Sequence, residues 1–311
     1  MLREAFGDAL VELGEEFSNL VVLDADISSS LKTGKFAKTY PKRHINFGVA
    51  EQNMLMSAAG LATTGLIPLA CTYATFSSMR ACEQIRSMIC YPKLNVKVIA
   101  THGGIEVGWD GPTHQATEDI AIMRSIPNMT IVVPADATAV LPLIKQAIEL
   151  DGPVYFRMGR NPVPIVYKKD NEFTLGKAKI IQSGGKILLA ACGTMVNTAI
   201  ETAKQLAQEG MDCTVIDFHT IKPFDEITLL ESAKDMDLIV SLEDHNIIGG
   251  LGGAVAECLS ENLPKHLIRI GVRDTFTESG DPKLLYQKYE MDVQHIIERV
   301  KGFFQRRNTK H

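Results

Sequence analysis

Short β-rich runs alternate with helix-like segments along the whole sequence, and this alternation constrains the fold more than any other feature. In the first half, strand-like runs occupy residues 20–23, 67–70, 96–100, 130–133 and 154–156, and an amphipathic helix is predicted over residues 1–19. Strands that alternate with helices are typical of mostly parallel sheets covered by helices. The sequence therefore predicts an α/β fold.

A polar, irregular segment over residues 166–185 divides this pattern into two series. After it, strands are predicted at residues 186–191, 212–217, 238–242 and 266–270, with helices over residues 194–209 and 225–234. Domain boundaries fall in exposed, polar linkers of this kind. We predict two doubly wound domains with mostly parallel sheets, residues 1–183 and residues 184–311.

Composition excludes several classes of protein. The chain of 311 residues has a formal net charge of −5, which disfavours a nucleic-acid or membrane partner and favours a small molecule. Its six cysteines are scattered without a Cys-x-x-Cys pair, as expected for reduced thiols. No apolar run approaches the roughly 20 residues that span a bilayer, and the N-terminus does not resemble a signal peptide. We expect a cytoplasmic protein.

The densest polar cluster is the segment THGGIEVGWDGPTHQATED at residues 101–119, directly after a predicted strand. Ligands of α/β proteins bind at the carboxyl ends of strands, so this loop lies where a site is expected. His102, Asp110 and His114 lie among glycines that permit close backbone approach. Imidazoles hydrogen-bond hydroxyls and transfer protons near neutral pH. We predict a functional loop rather than a metal site, because the spacing is not that of a helical His-x-x-x-His pair.

Three other features leave alternatives open. Glu51 starts an apolar helix, where it is either a charge favoured by the helix dipole or a buried acid for proton transfer. Tyr73, Phe76 and Met79 recur every three residues, which favours an apolar core ridge on a helix over a slot for a heterocycle. A glycine-rich run at residues 249–253 favours close helix packing over phosphate binding, because its spacing does not fit the dinucleotide fingerprint.

Taken together and in this order, the segments GVAEQNM, TYATFSSMR and THGGIEVGWDGPTHQATED resemble the C-terminal half of transketolase, and the resemblance covers essentially the whole chain. It implies a pyrimidine-binding domain followed by the transketolase C-terminal domain, with thiamine diphosphate as cofactor. Glu51 would face N1′ of the aminopyrimidine, and Asp26 would line the cofactor pocket. Tyr73 and Phe76 would hold the pyrimidine ring, with Met79 where many transketolases have a third aromatic residue.

The same resemblance implies how a sugar phosphate is bound. Ser30 and two arginines, Arg3 and Arg157, match the residues that bind its phosphate, and Arg160 is a close competitor of Arg157. Arginine suits this role because its planar fork donates two hydrogen bonds while it supplies charge. His102 would bridge to the phosphate or a sugar hydroxyl. Asp110 and His114 would hold the hydroxyls of the donor and assist its proton transfers.

The family's Gly-Asp-Gly segment ending in Asn, which binds magnesium and diphosphate, is not found in this sequence. The resemblance therefore implies that the Mg²⁺ ligands come from a partner, an N-terminal transketolase subunit, in an α2β2 assembly. It implies that this chain is the C-terminal subunit of a two-component transketolase. Such an enzyme moves a two-carbon ketol group from a ketose phosphate to an aldose phosphate, and this chain would be active only with its partner.

Three alternatives to this function are weaker. 1-Deoxy-D-xylulose-5-phosphate synthase shares the glutamate but is normally one chain. The β subunit of 2-oxoacid dehydrogenase shares it too, but has no use for the arginines and the paired histidines. A non-catalytic scaffold subunit would not need Glu51, His102, Asp110 and His114 together.

Overall fold

The computed structural model describes residues 1–308. The first half of the chain contains the strands β1 (Leu20–Asp24), β2 (His44–Asn46), β3 (Ile67–Tyr73), β4 (Lys97–Thr101), β5 (Thr130–Val132) and β6 (Val154–Arg157). Its α-helices are α1 (Leu2–Glu16), α2 (Ser28–Leu31), α3 (Gly34–Thr39), α4 (Glu51–Ala62), α5 (Asp119–Ser125) and α6 (Ala137–Glu149). Short π-helices at Phe76–Arg80 and Gln84–Cys90 and 3-10 turns at Pro41–Arg43 and Ile105–Asp110 complete this half.

The second half repeats the alternation. Its strands are β7 (Lys179–Gln182), β8 (Ile187–Ala191), β9 (Cys213–Asp217), β10 (Thr220–Lys222), β11 (Leu238–Asn246) and β12 (Leu267–Val272). Its helices are α7 (Met195–Gln208), α8 (Glu226–Ala233), α9 (Leu251–Asn262), α10 (Pro282–Lys288) and α11 (Val293–Asn308). Within residues 1–308, none of the helices combines the length and the apolar character needed to cross a membrane.

The strands form two sheets, ordered β10-β5-β6-β4-β3-β1-β2 and β12-β11-β8-β9-β7. Neighbouring strands run parallel except for the pairs β10–β5 and β7–β9, which are antiparallel. The predicted α/β fold with mostly parallel sheets is thus confirmed. Strands such as β1, β4 and β8 are buried along their whole length, as expected for parallel strands covered by helices.

The strands that the sequence did not reveal are β2, β7 and β10, and each lies at an edge of its sheet. They are three or four residues long. None of the residues of β2 or β7 is buried, so neither strand carries an apolar run. Edge strands of this kind lack the hydrophobic pattern on which strand prediction depends.

The boundary predicted after residue 183 does not agree with the strand pairing. β7 precedes residue 183 but pairs with β9 in the second sheet, and β10 of the second half adds to the first sheet beside β5. We therefore propose that the second domain begins before Lys179. The two domains also share a sheet edge, because β10 crosses back to the first one.

The glycine-rich run at residues 249–253 opens α9, and the structure confirms its role in close packing. A Cβ at Gly252 would lie 2.7 Å from Ser241 Oγ on β11. The buried carboxylate of Glu243, also on β11, accepts hydrogen bonds of 2.7 and 2.8 Å from the amides of Leu251 and Gly252. A carboxylate of the chain itself thus satisfies the first amides of the helix, in the position where an external anion would bind.

Replacing this buried carboxylate should destabilise the second domain. In Glu243→Gln the side-chain oxygen can serve only one of the two amides, so we expect the free energy of unfolding to fall by about 1–3 kcal/mol. Urea unfolding at pH 7 measures this change. The control is Glu261→Gln, an exposed carboxylate near the other end of α9, and an equal loss in both variants would contradict the role of Glu243.

Candidate active site

Several predicted site residues gather at the carboxyl ends of β1, β3 and β4, which are neighbours in the first sheet. Ser30 follows β1, Tyr73 ends β3 and His102 follows β4. Carboxyl ends of parallel strands lie at one edge of the sheet, so the topology brings these side chains together. Ser30 Oγ lies 3.1 Å from the Tyr73 hydroxyl, and the rings of Tyr73 and His102 are 4.1 Å apart.

Four rings form the centre of this region, and we call them the ring cluster: Tyr73, Phe76, His102 and His114. The rings of His114 and Phe76 form a T-shaped pair with centroids 5.2 Å apart, and the centroids of Tyr73 and Phe76 are 5.8 Å apart. The prediction of a helical core ridge is wrong, because Tyr73 lies in a strand, Phe76 starts a π-helix and Met79 is 47% exposed. Tyr73 and Phe76 are half-buried instead, and aromatic rings in such positions can pack against a flat ligand.

His102 is the buried member of the ring cluster, and its backbone adopts the left-handed conformation with φ of +61°. Burial, aided by the charges of Arg3 and Arg160, lowers its pKa to about 3. The ring is therefore neutral near pH 7, where one of its nitrogens can donate a hydrogen bond and the other can accept one.

Arg3, Ser30 and Arg160 border the ring cluster, and we call them the basic edge. Arg3 donates hydrogen bonds of 2.6 Å to the Ser30 carbonyl and 3.0 Å to the Arg160 carbonyl. Arg160 donates to the Val107 carbonyl at 2.6 Å and lies 3.8 Å from Asp110 Oδ1. These contacts hold two cations in place beside the ring cluster, and neither side chain is buried. Such a pair suits an anionic ligand.

Arg157 does not belong to the basic edge, which corrects its predicted role in phosphate binding. Its side chain is buried, and Nε and Nη2 donate to the Asp119 carboxylate at 2.8 and 3.2 Å. Nη2 also donates to the carbonyls of Ala116 and Asp244. A guanidinium paired in this way supports the structure rather than a ligand. Of the two competing arginines, only Arg160 lies at the basic edge.

Glu51 lies at the N-terminus of α4 and is 2% exposed. Arg80 Nη1 lies 3.0 Å from both of its carboxylate oxygens, and the Arg80 guanidinium lies over the Phe76 ring at 4.4 Å. The position of Glu51 is therefore compatible with both hypotheses, because it starts a helix and its side chain is also buried. The sequence did not indicate Arg80 as its partner, because the two residues are 29 positions apart.

Two aspartates at the carboxyl end of β1, Asp24 and Asp26, have different surroundings. Asp26 is exposed, has a φ of +63° and forms hydrogen bonds with Asn46. Asp24, which the sequence did not single out, is fully buried and accepts hydrogen bonds from Ile27 N, Ser28 Oγ and Thr33 Oγ1. Asp24 therefore anchors the turn that carries Ser30, whereas Asp26 lies on the open side of that turn.

A buried carboxylate near an aromatic ring fits a nitrogen heterocycle, since Glu51 can accept a hydrogen bond from a ring N–H and Phe76 can pack on the ring. The basic edge fits a phosphate. Within residues 1–308, no group of three His, Cys, Asp or Glu side chains is placed to hold a metal ion.

We predict that His102 stays neutral down to about pH 4, as follows from its lowered pKa. The unfolded chain protonates this ring near pH 6.5, so its burial makes the folded state lose stability as the pH falls from about 6.5 towards 3. A histidine NMR titration measures the protonation, and His102→Gln assigns the resonance. His295 is the internal control, because its hydrogen bond to Asp292 raises its pKa. A midpoint above pH 5 for His102 would contradict the prediction.

Both halves of the chain match sequence profiles of known domains. Residues 1–165 match the transketolase pyrimidine-binding domain, and residues 176–296 match the transketolase C-terminal domain. These ranges leave the linker around residues 166–175 between them.

Two relatives have about the same length as this chain, and a third is about twice as long. A protein of Methanocaldococcus jannaschii, provisionally named a transketolase C-terminal section, is 47% identical over 96% of this chain and 95% of its own. A 6-deoxy-6-sulfo-D-fructose transketolase subunit of Clostridium sp. strain MSTE9 is 39% identical over 99% of this chain and 96% of its own. A 1-deoxy-D-xylulose-5-phosphate synthase of Dictyoglomus thermophilum is 35% identical over 96% of this chain, which spans 48% of that protein.

A solved structure described as a split-gene transketolase in an inactive β4 tetramer has a TM-score of 0.91 to this chain, with 47% identity over 97% of both chains. The transketolase of Campylobacter jejuni shares the fold, with a TM-score of 0.79 and 23% identity over 97% of this chain and 46% of its own. From the two domain profiles and the full-length relatives, we conclude that this chain belongs to the transketolase family.

Proposed function

We propose that this chain is the C-terminal subunit of a two-component, thiamine diphosphate-dependent transketolase, which moves a two-carbon ketol group from a ketose phosphate to an aldose phosphate. One observation carries the proposal: the same ring cluster is linked to a buried carboxylate, Glu51, through Arg80 on Phe76, and to a pair of fixed cations, Arg3 and Arg160, near His102. Glu51 can thus accept a hydrogen bond from a heterocycle, and Arg3 and Arg160 can donate to a phosphate, all near the carboxyl ends of strands of the first sheet.

Glu51 is the residue that we assign to the aminopyrimidine of the cofactor. Its buried carboxylate would accept a hydrogen bond from the ring, while Tyr73 and Phe76 hold the ring in place and Met79 covers its exposed margin. Asp26 would line the pocket from the open side of its turn. When bound, the cofactor supplies the electron sink for carbon–carbon bond cleavage. In this proposal the Mg²⁺ ligands belong to the partner.

The basic edge is the part of the site that we assign to the sugar phosphate. Arg3 and Arg160 would donate to the phosphate, with the Ser30 hydroxyl beside them. His102, neutral at working pH, would hydrogen-bond the phosphate or a sugar hydroxyl. Asp110 and His114 would hold the hydroxyls of the donor and pass protons to and from them.

The partner that we propose is an N-terminal, diphosphate-binding transketolase subunit, in an α2β2 assembly. The relative named as a C-terminal section and the split-gene neighbour, whose β4 tetramer is described as inactive, both support a divided enzyme. We further propose a cytoplasmic location, since all six cysteines are free thiols.

The main competing reaction is that of 1-deoxy-D-xylulose-5-phosphate synthase, which the Dictyoglomus relative favours. Coexpression of this chain with a candidate N-terminal subunit separates the two. With thiamine diphosphate and Mg²⁺, xylulose 5-phosphate and ribose 5-phosphate should give sedoheptulose 7-phosphate only when both chains are present. Product from pyruvate and glyceraldehyde 3-phosphate instead would identify the synthase reaction. The sulfo-sugar relative makes 6-deoxy-6-sulfo-D-fructose a further donor to test.

Glu51→Gln should lower the rate of ketol transfer at least about 100-fold, because an amide cannot exchange a proton with the ring nitrogen as a carboxyl group can. Steady-state assays of the reconstituted pair measure the rate, and gel filtration shows whether the assembly survives. Glu83→Gln, an exposed neighbour beyond Arg80, serves as the control and should retain activity. Activity close to that of the wild type in Glu51→Gln would exclude the proposed role.

Arg160→Met should weaken substrate binding, whereas Arg157→Met should lower the stability of the fold. Loss of Arg160 removes a proposed phosphate ligand, so KM for the sugar phosphate should rise about 10-fold or more while stability changes little. Loss of Arg157 leaves the Asp119 carboxylate buried without its partner, which should cost about 3–5 kcal/mol of unfolding free energy. Urea unfolding measures the stability of each variant, and substrate titration measures its KM. A higher KM in Arg157→Met with unchanged stability, together with an unchanged KM in Arg160→Met, would identify Arg157 as the phosphate ligand.

A further inference from the structure

The loop of residues 102–118, which carries Asp110 and His114, is held by the second domain, and we call it the site loop. Its first turn is fixed by Asp244 of β11, a buried carboxylate. Asp244 Oδ1 accepts a hydrogen bond of 2.8 Å from the Ile105 amide, and Oδ2 accepts one of 3.3 Å from the Glu106 amide. Tyr286 of α10 donates to the same Oδ2 at 2.8 Å. A carboxylate of one domain thus caps a turn of the other.

The far part of the site loop is held by a second set of contacts. Gln115 is buried, and its Nε2 donates to the Gly108 carbonyl at 3.3 Å and to the Glu278 carbonyl at 3.1 Å. The Thr277 hydroxyl donates to Gln115 Oε1. Gln115 therefore links the middle of the site loop to the segment that leads into α10. Both polar side chains of this link are buried, so neither can exchange its partner for bulk water.

Three glycines of the site loop lie where the second domain approaches the backbone. Gly104, Gly108 and Gly111 all have positive φ, at +83°, +73° and +76°. A Cβ at Gly104 would collide with the Asp244 carboxylate, and one at Gly111 with Ser279 Oγ. At Gly108 it would lie 3.0 Å from the Gly280 carbonyl oxygen. These positions require glycine because the loop backbone packs directly on the second domain.

The opposite side of the site loop bears the residues of the candidate site. Asp110 lies 3.8 Å from Arg160 Nη1, and the His114 ring contacts Phe76. A glycine-rich segment has many conformations open to it, so its anchors decide how much of the time Asp110 and His114 occupy this arrangement. Any loss of that population weakens substrate binding in proportion.

We infer that the C-terminal domain positions the site loop for ketol transfer, and that Asp244, Thr277 and Tyr286 are positioning residues which act through the loop. The inference rests on the proposed function for the roles of Asp110 and His114. The anchoring itself stands on the contacts above, so its test does not require a cofactor or a substrate.

Trp109 makes that test direct, because it is the only tryptophan of the chain and lies in the site loop with 69% of its surface exposed. Time-resolved fluorescence anisotropy of the isolated chain reports the motion of this one residue. Thr277→Val removes the hydroxyl that binds Gln115, and we expect the amplitude of fast depolarisation to rise about twofold. Hydrogen exchange of the amides in residues 103–116 should quicken about tenfold.

Matched variants separate anchoring from general damage. Thr275→Val makes the same substitution at an exposed position two residues away and should leave Trp109 and the loop amides unchanged. Thr277→Ser keeps the hydroxyl and should restore the behaviour of the wild type. Tyr286→Phe removes the hydrogen bond that holds the Asp244 carboxylate, an anchor independent of Gln115, and should loosen the first turn in the same way. If Thr277→Val and Tyr286→Phe both match Thr275→Val in anisotropy and exchange, the inference is wrong.

Kinetics of the reconstituted pair then test the link to catalysis. We expect Thr277→Val to lower kcat/KM for the ketose phosphate about tenfold, mainly through KM, while the affinity for thiamine diphosphate, measured by calorimetry, stays unchanged. A loosened loop with unchanged kcat/KM would overturn the positioning role. A wild-type pair that binds the cofactor but transfers no ketol group would count against the proposed function alone, and the fluorescence and exchange results would still decide the anchoring.

Discussion

The ion pair and hydrogen bonds of the buried Arg157 guanidinium are the interactions on which the arrangement of the site loop and the two domains depends. It lies at the end of β6, pairs with Asp119 at the start of α5 and donates to the carbonyls of Ala116 and Asp244. A buried charge is stable only when its hydrogen-bonding groups are satisfied, so these three segments are fixed relative to one another. Gly103 packs against the same guanidinium, with a Cβ there only 2.5 Å from Cζ. One cation thus joins the first sheet, the site loop and the second domain.

The residues of the candidate site lie at the carboxyl ends of the strands, and their charges are arranged around the ring cluster. Arg3 and Arg160 are held by backbone carbonyls, and their charges reinforce burial in keeping His102 neutral. Glu51 has its own cation in Arg80 on the far side of Phe76. Glu51 is therefore paired with Arg80 and not with Arg3 or Arg160, the two cations of the basic edge. Glu51 does not neutralise these two cations, of which Arg160 has the Asp110 carboxylate 3.8 Å away.

Prediction from sequence located the strands in the interior of each sheet and missed three short strands at sheet edges, β2, β7 and β10. β1, β4 and β8 are fully buried and each contains at least three consecutive apolar residues, so each was predicted within one or two residues. β2 and β7 are short, unburied edge strands, so they carry no such run. β10 pairs with β5 from the other half of the chain, a partner that no local pattern specifies.

By itself, the sequence determined the α/β class, the transketolase resemblance and the loop that carries His102, Asp110 and His114, because these depend on patterns within short segments. Only the tertiary structure decided that Arg160 lies at the basic edge whereas Arg157 is neutralised by Asp119, 38 residues away. It also decided that Arg80 pairs with Glu51 and that the second domain holds the site loop. The physical reason is the same in each case: the charge and position of a side chain depend on partners that folding brings in from distant segments.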